Sequence, residues 1–186
     1  MSEGKMFVAI QNVVASVSLG QKFDLESIVR ISPGAEYNPQ TFPGVVYRLK
    51  KPKTATLIFG SGKMVCAGAK SERQAKKAVM KIIDDLKRNG LVITAKPSIT
   101  IQNIVASGGL GGYIDLEDTA HKLKNTIYEP EQFPGLIYRM DKPKVVLLIF
   151  ATGKLVCAGA RTEEDVHEAV RKIKDILEEQ KLITYP

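Results

Sequence analysis

The chain has 186 residues, 44% hydrophobic and 25% charged, the proportions of an ordinary globular protein with room for one or two small cores. Its formal net charge of +7 and pI near 9.3 favour an acidic partner such as nucleic acid or an anionic surface, without fixing a fold. The start, Met1-Ser2-Glu3-Gly4-Lys5, lacks a signal-peptide core, and the longest apolar run, Val145 to Ala151, is about seven residues. A soluble, intracellular protein with no membrane partner is expected.

In chain order, residues 6–16 are rich in Val, Ile and Ala without helical periodicity and read as a strand. Asp24 to Val29 reads as a short helix. Asn38-Pro39 and Phe42-Pro43-Gly44 punctuate a loop. Val45 to Leu49, Thr54 to Phe59 and Met64 to Ala67 read as three strands, joined by tight turns at Lys51-Pro52-Lys53 and Gly60-Ser61-Gly62-Lys63. A longer helix follows: Ser71 and Gln74 have capping-box spacing, and Ala75, Ala78, Val79, Ile82 and Leu86 share one face.

The same text then recurs at an offset of about 91 residues, with roughly half the paired positions identical. Ile10-Gln11-Asn12 returns as Ile101-Gln102-Asn103, Phe42-Pro43-Gly44 as Phe133-Pro134-Gly135, and Gly62-Lys63-Met64-Val65-Cys66 as Gly153-Lys154-Leu155-Val156-Cys157. The second long helix is capped by Thr162 and Asp165 and carries Val166, Ala169, Val170, Ile173 and Leu177 on one face. The expected domains are residues 1–94 and 95–186, each an α+β unit of antiparallel strands and one long helix. An internal two-fold implies a pseudo-dyad, and duplex DNA is the commonest ligand of matching symmetry.

One helix per repeat covers one face of its sheet, yet Leu57-Ile58-Phe59 and Leu148-Ile149-Phe150 are apolar on both. Either the two sheets pack together, or the second face binds something. Taken two by two, the strands place Asn12, Val14, Leu57, Phe59, Val65 and Ala67 on that face. Asn103, Val105, Leu148, Phe150, Val156 and Ala158 are their counterparts. None is charged. Arg48, Lys53, Lys63, Lys70, Arg139, Lys144, Lys154 and Arg161 lie at edges and turns. An apolar, amide-bearing floor with a basic rim suits the minor groove, whose A·T floor offers little to charged groups while its phosphates attract Lys and Arg.

At these residues the chain resembles the TATA-box-binding proteins over essentially its whole length. Phe-Pro-Gly-Leu-Ile-Tyr-Arg-Met at 133–140, Tyr-Glu-Pro-Glu-Gln-Phe at 128–133 and Lys-Pro-Lys-Val-Val-Leu-Leu-Ile-Phe at 142–150 are close to family signatures, and the Gln-Asn pair opening each repeat agrees. The near-absence of an N-terminal extension and the similarity between repeats resemble the archaeal members.

The resemblance implies one saddle-shaped, curved antiparallel β-sheet formed by two pseudo-symmetric repeats, with long helices on the convex face. It implies a general transcription initiation factor that bends AT-rich promoter DNA. Phe42, Phe59, Phe133 and Phe150 match intercalating phenylalanines, and the other face residues match the groove-lining set. The family usually carries threonine where this chain has Ala67 and Ala158. Glu129, Glu131 and Gln132 match a contact site for transcription factor B, and through that factor RNA polymerase. Asn38 and Gln40 stand in the equivalent first-repeat loop. A homodimer through the same face is the self-association open to the free protein. A cytoplasmic, nucleoid-associated location follows.

Three other signals carry less. Gly60-Ser61-Gly62-Lys63 lacks the first Gly and the final Ser/Thr of a phosphate-binding loop and sits between strands, so it reads as a hairpin turn. Cys66 and Cys157 share one strand position and read as small buried residues. No carboxylate pair or nucleophile–base arrangement recurs, so no enzyme activity, no cofactor and no metal site are expected. A protein-interaction scaffold, or a DNA repair enzyme on a related sheet, are the alternatives. Salt-dependent binding to AT-rich DNA separates the first of these from a transcription factor.

Overall fold

The computed structural model describes residues 5–186. The first repeat runs β1 (Phe7–Ser18), α1 (Leu25–Ile31), β2 (Glu36–Tyr37), β3 (Val45–Lys50), β4 (Lys53–Ile58), β5 (Lys63–Ala69) and α2 (Glu72–Arg88). The second runs β6 (Ser98–Gly109), β7 (Tyr113–Ile114), α3 (Leu116–Lys122), β8 (Thr126–Ile127), β9 (Leu136–Met140), β10 (Val145–Ile149), β11 (Lys154–Ala160), α4 (Glu163–Glu179) and β12 (Ile183–Thr184). The strands are hydrogen-bonded in the orders β2-β3-β4-β5-β1 and β6-β11-β10-β9-β8, and the registered pairs are antiparallel. The expected long strands and helices are present within a few residues of their expected ends.

The chain forms two compact units, Asn12–Gln102 and Asn103–Pro186 together with the residues up to Gln11. Each opening strand is therefore shared. The start of β1 belongs with the second unit, and the start of β6 with the first. The Gln11 side-chain amide donates to Ser107 Oγ at 2.8 Å, and the Gln102 amide donates to Ser16 Oγ at the same distance.

Within each unit the period-two pattern decides what is buried. Val13, Ala15, Val17, Ile58, Met64 and Cys66 point to the helix side and are buried in the first unit; Ile104, Ala106, Leu147, Ile149, Leu155 and Cys157 do so in the second. Helix α2 meets this side with Ala75, Ala78, Val79, Ile82, Ile83 and Leu86, and α4 with Val166, Ala169, Val170, Ile173 and Leu177. Each large aliphatic side chain so buried contributes about 1.5–3 kcal/mol. The helices start at the expected capping residues: Gln74 N–H donates to Ser71 Oγ and Asp165 N–H to Thr162 Oγ1, both at 3.0 Å. Each cap is worth about 1 kcal/mol.

The opposite side has no helix. Its residues alternate with the buried ones and are half-exposed throughout.

A backbone device occurs twice that the strand pattern does not announce. Val13 faces Ala69 while Ala15 faces Cys66, so β5 carries one extra residue there, and β11 does the same between Ala160 and Cys157 opposite β6. Gly68 and Gly159, inside these bulges, have φ of +99° and +94°, a conformation that excludes most other residues.

Candidate nucleic-acid interface

The uncovered side of the first unit is a largely apolar surface, with Arg48 at its margin. Cross-strand registers set Val46 beside Leu57 and Leu57 beside Val65 in one row, and Arg48 beside Ala55 and Ala55 beside Ala67 in the next. In the second unit Ile137, Leu148 and Val156 form the first row, and Arg139, Val146 and Ala158 the second. All are half-exposed except the exposed arginines. Val46, Ala55, Ile137 and Val146 are absent from the sequence-derived face. Counting back by two from Arg48 along β3, and from Leu57 along β4, would have found them.

The bulges organise the asparagines. Gly68 N–H donates to Asn12 Oδ1 at 2.7 Å, and Gly159 N–H donates to Asn103 Oδ1 at 2.7 Å. Each carboxamide thus has one lone pair of its oxygen engaged by the protein. The end left freer for a ligand is the –NH₂ group, a donor only. The A·T minor groove displays only acceptors, adenine N3 and thymine O2. The surface and that groove are complementary in the sense of their hydrogen bonds.

The four phenylalanines form two pairs. Phe42 meets Phe59 edge to face with centroids 5.8 Å apart and planes at 61°; Phe133 meets Phe150 at 5.8 Å and 63°. The Phe-Pro-Gly sequence explains the pairing. A Cβ on Gly44 would lie 2.9 Å from Phe42 Cε2 and 3.1 Å from Phe59 Cε1, and one on Gly135 would lie 2.7 Å from Phe133 Cε2 and 3.0 Å from Phe150 Cε1. Turns fix the other sides: Phe42 N–H donates to Asn38 O and Phe133 N–H to Glu129 O, both at 3.0 Å. Phe133 stays 37% exposed. The other three rings are half-buried, so none of the four lies among the fully buried core residues.

Basic residues flank this floor. In the first unit Arg48, Lys53 and Lys70 line one recess together with Asn12, Ala55 and Ala67. Lys63 borders a second recess with Phe59 and Val65, and Lys154 a third with Phe150 and Val156. Arg139, Lys144 and Arg161 are exposed on the second unit. Arg48 lies 3.9 Å from Glu36, but both side chains are well exposed, so that pair holds the guanidinium weakly.

Behind the floor Cys66 and Cys157 are buried and unpaired. Burial pushes both thiols up, Cys157 to about 11 with Asp165 adding to the effect. Glu129, Glu131 and Gln132 are exposed in the loop before Phe133, and His121 and His167 are exposed elsewhere. Among the described residues no group of three or more His, Cys, Asp or Glu is placed to hold a metal ion, and no helix is long and apolar enough to cross a membrane.

Two stretches of the chain, residues 7–89 and 98–180, match the sequence model of the family described as transcription factor TFIID, or TATA-binding protein. The chain belongs to the TATA-binding protein family. It is 54% identical over 175 residues to a TATA-box-binding protein of Sulfolobus acidocaldarius, covering 94% of this chain and 89% of that one. It is 54% identical over 181 residues to one from Pyrodictium occultum, covering 97% and 91%. The solved structure of Methanococcus jannaschii TBP superposes with a TM-score of 0.84 at 50% identity, covering 92% of this chain and 98% of that one. The fold is accordingly that of the TATA-binding proteins: an open antiparallel sheet with four helices, built from two repeats.

Proposed function

We propose that this protein is a general transcription initiation factor that binds a TATA element of promoter DNA through the minor groove and bends it. The observation that carries the reading is the pair of fixed asparagines. A bulge glycine holds the oxygen of each amide and leaves the donating –NH₂ as the freer end, on an apolar floor, for an A·T groove that offers only acceptors.

Each unit contacts one half-site. Asn12, Val14, Leu57, Val65 and Ala67 lie on the floor in one, and Asn103, Val105, Leu148, Val156 and Ala158 in the other. Phe42 with Phe59, and Phe133 with Phe150, wedge between base steps; the energy spent on unstacking is recovered by the wider contact that bent DNA makes. TATA-binding proteins are the familiar example of such wedging, and the mechanism is carried over from them to these four rings. Arg48, Lys53, Lys63 and Lys70, with Arg139, Lys144, Lys154 and Arg161, neutralise phosphates. The exposed loop with Glu129, Glu131 and Gln132 receives transcription factor B, which brings RNA polymerase. The protein acts as a DNA-binding factor without catalysis, in the cytoplasm at the nucleoid.

A gel-shift series tests this, with a TATA duplex and a scrambled duplex of equal composition. The TATA duplex should bind more tightly, and a small-molecule minor-groove binder should compete. Binding that survives the competitor and needs the major-groove thymine methyls would overturn the reading.

A further inference from the structure

The two repeats match closely on the uncovered side, apart from aliphatic exchanges such as Ala55 for Val146, but beside it they differ in kind at one place. Where the second unit has Phe7, from the start of β1, the first unit has Ser98, from the start of β6. Phe7 is 52% exposed, a large apolar side chain left in water beside a binding floor. Its ring lies over Gly109. A Cβ on Gly109 would fall 2.5 Å from Phe7 Cε1 and 3.1 Å from Cδ1, so glycine is what lets the ring settle there. The first-repeat counterpart of Gly109 is Ser18. Aromatic ring and glycine thus occur together in one unit, and serine with serine in the other.

The surroundings differ accordingly. In the second unit a recess of about 560 Å³ is bounded by Phe7, Phe150, Val156 and Lys154. The matching recess of the first unit, about 380 Å³, has Phe59, Val65 and Lys63 in the corresponding places, but Ser18, Ser98 and Thr100 beside them. One recess carries two aromatic rings, Phe7 and Phe150, and the other a single ring, Phe59, with more hydroxyls around it.

The geometry points to Phe7 as a further DNA-contacting residue, a fifth ring that packs on the outer sugar–base edge of the half-site held by the second unit and distinguishes that half-site from the other. This rests on the minor-groove reading above. The minor-groove walls present the C–H faces of deoxyribose, which an aromatic ring covers well and a serine does not. The hydroxyl-lined recess instead offers hydrogen bonds to phosphate or water. A nearly symmetric floor thereby acquires a chemical direction.

The test uses the full chain on one duplex with a TATA core, read by fluorescence anisotropy, hydroxyl-radical footprinting and thermal melting. F7S should keep its melting temperature, bind about tenfold more weakly and lose footprint on one flank only. G109S, which displaces the ring without removing it, should do the same. The double variant S98F with S18G should extend the footprint on the other flank. If wild type fails to prefer the TATA duplex, the minor-groove reading itself falls. If wild type binds well and F7S has equal affinity and an unchanged footprint, this proposal alone falls. A large drop in the melting temperature of F7S would make the ring a packing residue. Loss of a dimer in sedimentation with unaltered DNA affinity would assign it to self-association. Either result overturns the proposal.

Discussion

Asn12 reaches across to the backbone of Gly68, whose N–H donates to its side-chain oxygen at 2.7 Å. The bond ties a side chain on β1 to the one left-handed residue of β5, and the same pair recurs as Asn103 and Gly159. It answers a question that an asparagine in a sequence always leaves open, namely which end of the amide the protein itself engages.

The consequence is testable with a nearly isosteric change. In Asn12→Asp the carboxylate still accepts from Gly68, so folding should be little affected. The outward donor is lost and a negative charge is set toward the groove. Affinity for a TATA duplex should fall by about 2 kcal/mol or more, the scale of a good base contact. Anisotropy titration and a melting curve on the same variant check it. Equal losses of stability and affinity would mean that the bond serves only the bulge.

Gly44→Ala tests the ring cradle. Gly44 does not need a left-handed backbone, and its added Cβ meets the rim of both rings, with the Ile58 carbonyl at 3.1 Å. Bending measured by resonance energy transfer between the ends of a duplex should decrease more than stability does. Phe59→Ala should act alike, costing less stability than the roughly 3–5 kcal/mol of a buried ring. Unchanged bending with a large melting shift would make the rings core.

Lys63→Ala and Lys154→Ala remove exposed charges next to Phe59 and Phe150. Each should weaken binding to TATA and scrambled duplexes alike and reduce the salt slope by about one. Affinity titrations from low to moderate salt measure it. A change in sequence preference at constant slope would take these lysines out of the phosphate-contacting set.

The cysteines give a pH prediction. Cys157 stays a thiol up to about 11, whereas an unperturbed cysteine ionises near 9.0. Between those values the unfolded chain loses a proton that the folded chain keeps, so this group's contribution to stability declines as pH rises through that window. At about pH 9 a disulfide reagent should leave both thiols unreacted in the folded protein and titrate both after denaturation. Rapid modification of the native protein would contradict their burial.

Much of this is legible beforehand because period-two and period-3.6 patterns report directly which side of an element is buried. Ser71, Thr162 and the apolar faces of α2 and α4 are examples. The two-residue strands β2 and β8 are not, because Glu36-Tyr37 and Thr126-Ile127 are too short to carry a period. The bulges escape for another reason. An alternating pattern says nothing of an inserted residue, and the available sign, a glycine within a strand at 68 and 159, reads equally as the strand's end. The shared opening strands escape as well, since alternation within β1 does not name its neighbour.

The last prediction concerns the loop before Phe133. In both repeats this loop has one backbone: Asn38 O accepts from Thr41 and Phe42 N–H, and Glu129 O accepts from Gln132 and Phe133 N–H. The loops differ in charge, since Asn38 and Gln40 are neutral where Glu129 and Glu131 are acidic. Because the carbonyl of residue 129, and not its side chain, positions Phe133, the acidic groups are not needed to hold the ring. They are exposed, and among the described residues no ion pair engages them. Negative charge near DNA repels phosphate, so DNA affinity does not explain it either. An asymmetric protein partner with a basic surface does, since it could choose one of two otherwise matched loops. Glu131→Arg, alone or with Glu129→Arg, should therefore leave DNA affinity and bending intact or slightly improved. The complex with transcription factor B should be lost, because like charges brought together at an interface cost several kcal/mol. The measurement is a two-step gel shift, DNA first and then the added factor. A normal supershift with the double variant would reduce this loop to a solvated turn whose only task is to carry Phe133.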